Sequence, residues 1–158
     1  MTNFFITAAG ASAALAGLVF VALSVNIQNI LRAPQLPTRA GATIAMLILI
    51  LVCSMVTLVP QPPRPLGLEI TAFALFGFYL QIVSARRSFL AQAVARRPLW
   101  EGLLNAATGQ VQVLPFLAGG ILVFLDSPRG LYWVAAGCIS VFVFSVLNSW
   151  VLLVEILR

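Results

Sequence analysis

The chain has 158 residues, 61% of them hydrophobic and only 8% charged, with a mean hydropathy of +1.06. A water-soluble domain of this length needs far more polar surface, so the composition excludes a soluble enzyme or binding domain and indicates an integral membrane protein. The net charge of +5 comes from nine arginines against Glu69, Glu101, Asp126 and Glu155, with no lysine and no histidine. Here that balance reads as arginine anchoring at a membrane face, not as a nucleic-acid surface.

The first apolar run, Phe4 to Leu31, carries no charged side chain over 28 residues, more than the roughly 20 a helix needs to cross a bilayer. It lacks the basic region and cleavage site of a signal peptide and is too long for one, so it is expected to remain in the mature protein. Its first half is dense in alanine and glycine. Wound at about 100° per residue, Gly10, Ala14, Gly17, Val21, Ser24 and Gln28 fall on one narrow stripe. Small residues so spaced let a second helix backbone come close, which drives association where lipid removes the hydrophobic advantage. The run ends in the amides Asn26, Gln28 and Asn29, with donors and acceptors to place. This helix is expected to be the packing centre of the bundle.

Pro34 and Pro37 stop it, with Arg32 and Arg39 at the ends of the linker and Thr38 placed to cap the next helix. The second run spans Ala40 to Val59 and ends in the stiff connector Pro60-Gln-Pro-Pro-Arg-Pro65. The third, Leu66 to Val83, has a bulky surface from Phe73, Phe76 and Phe78. Next comes a basic connector, 84–101, in which Arg86, Arg87, Arg96 and Arg97 bracket the apolar segment Phe89 to Val94. It reads as a helix extension or as an amphipathic segment on an anionic membrane face. The fourth run, Leu103 to Leu125, is the least lipid-like, with Asn105, Thr108, Gly109, Gln110, Gln112, Pro115, Gly119 and Gly120. A helix so composed prefers protein or water to lipid. Asp126-Ser-Pro-Arg-Gly130 is a turn signal. The fifth run, Leu131 to Leu157, places Tyr132 and Trp133 near one interface and Asn148, Ser149 and Trp150 deeper.

The expected fold is therefore an all-α integral membrane protein, a five-helix transmembrane bundle in one domain, 1–158. Its spans lie near 5–31, 40–59, 66–84, 103–125 and 131–157, with no internal repeat. Five spans put Arg32, Arg39, Arg86, Arg87, Arg96, Arg97 and Arg158 on one side and only Arg64 and Arg129 on the other. The positive-inside rule then gives the N-terminus outside and the C-terminus in the cytoplasm. The alternative is four spans with 103–125 re-entrant.

Candidate chemistry is sparse. Cys53 and Cys138 lie in apolar runs, make no metal motif and read as small buried hydrophobes. Glu69 sits about one turn inside the third helix, with Arg64 as its expected partner. Glu155 pairs three residues on with Arg158. Without histidine, Ser-His, Cys-His and His-metal chemistry are closed, no paired aspartates suggest intramembrane proteolysis, and Gly119-Gly120 reads as close helix packing. No enzyme activity, cofactor or metal is expected. The amides Asn26, Gln28, Asn29, Gln110, Gln112 and Asn148 leave two readings open. They are interhelical hydrogen-bonding groups, or they and the small stripe line a narrow pore in a homo-oligomer.

The opening FFITAAGASAALAGLVFVALSVNIQNIL resembles that of small, uncharacterised bacterial membrane-protein families, some labelled modulators of a membrane protease. The resemblance implies a bacterial inner-membrane location. Ser12, Ala13, Leu15, Gly17, Val21 and Ala22 also resemble the Orai calcium-channel pore helix in type and spacing. The family's selectivity glutamate falls on Val25, which cannot bind calcium, so calcium selectivity is not expected.

The expected function is a small homo-oligomeric channel in the lipid bilayer, lined by the first helix and passing an ion or small solute, with Asn26, Gln28 and Asn29 as its polar mouth. The alternative is a non-conducting accessory subunit that binds another membrane protein. A secondary transporter depending on Glu69 is third.

Overall fold

The computed structural model describes residues 1–28, 36–94 and 107–156. All its elements are helices: α1 (Thr2–Val25), α2 (Leu36–Leu58), α3 (Pro63–Val94), α4 (Leu114–Phe124) and α5 (Gly130–Ile156). Five segments are long and apolar enough to cross a membrane: Thr2–Val25, Ala40–Leu58, Pro63–Arg87, Ala107–Phe124 and Gly130–Trp150.

The centre of the bundle is α2, not α1. It packs against α1, α3 and α5, while α4 lies between α3 and α5 and α1 only brushes α5. Met46, Leu47, Leu49, Ile50 and Cys53 of α2 are buried against Ile70 and Ala74 of α3, Phe116 of α4, and Val134, Cys138 and Val141 of α5. By contrast α1 buries only Phe5, Ser12 and Val19. Their spacing of seven residues marks a single seam, the geometry of two helices crossing at a shallow angle. The expectation that the first helix is the packing centre fails for a physical reason. Lipid and protein interior are equally apolar, so density in small residues does not say which side of a helix, or which helix, lies inside.

Proline places two of the helix starts. Pro37 sits in the first turn of α2 and Pro63 and Pro65 in that of α3, where a missing N–H costs nothing. Thr38 is thus inside α2 and does not cap it. On the far side, α3 runs unbroken to Val94. The described part of the basic connector is therefore a helix extension.

Glycine seals the other half of the bundle. A Cβ on Gly67 of α3 would stand 2.7 Å from the Gly120 carbonyl oxygen, and one on Gly120 would stand 3.2 Å from that of Gly67. On its other side α4 meets α5 in the same way, through Gly119 and Gly130. The adjacent pair Gly119-Gly120 thus serves two interfaces, as the sequence reading of close packing expects. Phe116 fills the space over Gly137, whose Cβ would lie 2.7 Å from the ring.

The turn from α4 to α5 follows from one residue. Asp126 takes φ 59°, its N–H donates to Val123 O at 2.9 Å, and the Ser127 N–H donates to Leu122 O at 2.9 Å. These are the paired bonds of a Schellman motif, with aspartate at the left-handed position that usually favours glycine.

Candidate functional site

Gly10, Ala14, Gly17, Val21 and Ser24 share one face of α1, as their spacing requires, and that face points away from the bundle; Gln28 lies past the end of α1, which stops at Val25 short of the expected 31. Gly10, Ala14, Gly17, Val21, Ser24 and Gln28 are all exposed. Among the described residues nothing lies within 4 Å of a Cβ built on Gly10 or on Gly17. At about 100° per residue the stripe is centred almost opposite the Phe5, Ser12 and Val19 seam that holds α2. One helix thus carries two seams, one occupied and one open.

The open seam is apolar and uncharged. Leu18, Phe20 and Val25 flank it, each exposed. Its hydroxyl turns inward on its own backbone, Ser24 Oγ donating to Phe20 O at 2.8 Å. Asn26 does the same, Nδ2 donating to Ala22 O at 3.0 Å, beside the point where α1 loosens. Such back-bonds occupy the Ser24 proton and one Asn26 N–H without a second helix. Gln28 is exposed at the end of the seam, and Asn29 lies outside the described residues.

The remaining polar candidates lie elsewhere and do not converge on α1. Gln112 is 4% exposed, and the Oε1 atoms of Gln110 and Gln112 are buried with no partner among the described residues. They sit where the fourth span breaks. Pro115 has no N–H to offer Val111, and the chain tightens there, the Val113 N–H donating to Gln110 O at 3.2 Å. Gln81 of α3 faces this break, with Oε1 3.1 Å from the Cβ position of Gly109. Asn148 is exposed on the outer face of α5. Among the described residues, therefore, Asn26 bonds its own helix and the buried oxygens of Gln110 and Gln112 form no interhelical bond.

Glu69 accepts a hydrogen bond from Gln61 Nε2 at 2.8 Å. Its partner in this structure is the amide of the connector, where the sequence pointed to Arg64. Eight residues of separation across three prolines concealed that pairing. The sequence reading also missed the Phe5, Ser12 and Val19 seam, although its seven-residue repeat was available as a signal.

Comparisons with protein families, curated proteins and solved structures give no match to this chain.

Proposed function

We propose that this protein is a small multi-pass membrane subunit that works by helix association, its open α1 seam receiving the same seam of a second copy. The observation that carries this reading is a contrast among glycines. Gly67, Gly119, Gly120 and Gly130 meet backbone across an interface, whereas Gly10 and Gly17, on one face of one helix, meet nothing within 4 Å among the described residues; Gly41, near the start of α2, is likewise empty but stands alone. Glycines in spanning helices let a second backbone come close, and among the described residues no backbone takes up that approach at Gly10 or Gly17. The seam is uncharged, satisfies its own hydroxyl, and repeats at four and three residues, so two copies can meet face to face about a twofold axis.

In this reading the N-terminus is outside and the C-terminus is in the cytoplasm of a bacterial inner membrane, as the arginine distribution favours. A cysteine at Ala14, in a background with Cys53 and Cys138 replaced by alanine, should form an intermolecular disulfide in native membranes. A cysteine at Phe73 on α3 should not. Equal crosslinking at both positions, or none at Ala14, overturns homo-association; capture of a different membrane protein at Ala14 would then support an accessory subunit.

The exposure of Ser24 and Gln28 at one end of the seam favours a second reading, a narrow pore at the shared axis with Asn26, Gln28 and Asn29 as its mouth. In that case Ser24→Leu and Gln28→Leu reduce flux through reconstituted protein while the Ala14→Cys crosslink remains. Wild-type protein that crosslinks but passes no ion refutes the pore and keeps the subunit.

A further inference from the structure

A third face of α1, neither the open seam nor the one on α2, borders an apolar groove. Phe4, Ala8 and Ala11 form one wall, Phe142 of α5 the other, and Ile50 of α2 and Cys138 of α5 lie at the floor. The cavity is about 200 Å³. It exists because α1 is held by α2 and scarcely touches α5. The rim is open, with Ile139 56% and Val143 50% exposed, while the floor residues Ile50 and Cys138 are 1% and 2% exposed.

We propose that this groove holds one acyl chain of a bilayer phospholipid as a resident lipid, lying along α1. Three observations favour this occupant. First, all of the lining belongs to membrane-spanning segments, so the groove opens sideways into hydrocarbon. Second, the lining offers water too little to hold it. Its one hydroxyl, on Thr7, spends its proton on Asn3 O at 2.9 Å and leaves only acceptor lone pairs, whereas a buried water needs two or more polar partners. Third, the groove follows α1 from Phe4 to Ala11, a length of about 10 Å at 1.5 Å per residue, which suits a linear chain aligned with the helices. It begins near the N-terminal end of α1, so the lipid belongs to the leaflet on that side.

A second apolar hollow, between α3 and α4, provides the control. It is lined by Leu68, Thr71, Ala72, Leu75, Ile121 and Phe124, none of them buried. It is a dent in a lipid-facing surface without a buried floor, and lipid there exchanges like the rest of the annulus.

The test uses the full chain in nanodiscs of phosphatidylcholine doped with phosphatidylcholine carrying a mid-chain diazirine. The protein is extracted, washed with detergent, irradiated, and its adducts are mapped by mass spectrometry. The proposal expects adducts at Cys138, Phe142 or Ala11 to survive the wash, and adducts at Leu75 or Ile121 to be lost. Ala11→Phe fills the groove from α1 and Val143→Phe narrows it from α5. Each variant, once gel filtration and thermal unfolding show it folded, should lose the groove adducts and, when irradiated without the wash, keep those of the dent. Groove adducts that wash out with the dent's, or that persist in the folded variants, overturn the proposal. Either result leaves the Ala14 crosslink of the open seam unaffected, so the two readings fail separately.

Discussion

Gly119 and Gly130 meet backbone to backbone, a Cβ on either standing 3.0 Å from the other's carbonyl oxygen. The same Cβ on Gly119 would lie 2.6 Å from Cγ2 and 2.7 Å from the backbone nitrogen of Val134. Backbone cannot move aside as a side-chain tip can. Gly119→Ala should therefore destabilise the bundle by about 2 kcal/mol, read as a lower midpoint of thermal unfolding in detergent. Gly17→Ala, in open space, should change monomer stability by no more than about 0.5 kcal/mol while weakening the Ala14 crosslink. Equal losses for the two variants would erase the distinction between filled and free glycines.

Asp126 occupies the left-handed position at the end of α4, where a side chain costs about 1 kcal/mol relative to glycine. Asp126→Gly should recover about that much stability. A loss instead would mean that the carboxylate makes a contact worth more than the backbone strain.

Gln112 buries an acceptor that has no donor among the described residues. Replacing it with leucine removes the desolvation cost at similar volume and should stabilise the fold by about 1 to 2 kcal/mol. Stabilisation with loss of flux in the reconstituted protein would mark Gln112 as functional. Destabilisation would show that the amide is satisfied after all.

Cys53 and Cys138 are 0% and 2% exposed. Neither should react with maleimide in the folded protein, and both should react at once in SDS. Labelling of Cys138 before Cys53 under mild destabilisation would show α1 lifting first, because Cys138 floors the groove that α1 walls.

The proposed orientation is checked by fusions. A green fluorescent protein at the C-terminus should fluoresce and alkaline phosphatase there should be inactive, whereas phosphatase inserted after Pro62 should be active. The reverse pattern would put seven arginines outside and remove the basis for the orientation.

The number of spans and their approximate ends were legible because chain length against bilayer thickness and the proline-rich connectors act locally. The double role of Gly119-Gly120 was half legible: the pair announces close packing, but only the neighbours show that one glycine serves α3 and the other α5. Gly10 and Gly17 look the same in sequence, yet are unfilled among the described residues. That difference depends on which helices come together, and in a uniformly apolar chain no inside-outside pattern encodes it. The pairing of Glu69 with Gln61 was hidden similarly, because prolines fold the connector back on α3.

The glycine contacts that flank α4 have a mechanical consequence. A contact between backbones has no rotamer to change, so it can neither slide by a turn nor rotate without opening a void. The helices α3, α4 and α5 therefore form a stiff chassis. On the other side α1 is held by α2 along one seam and scarcely touches α5. A shift of α1 along α2 would disturb none of those glycine contacts, which all lie among α3, α4 and α5.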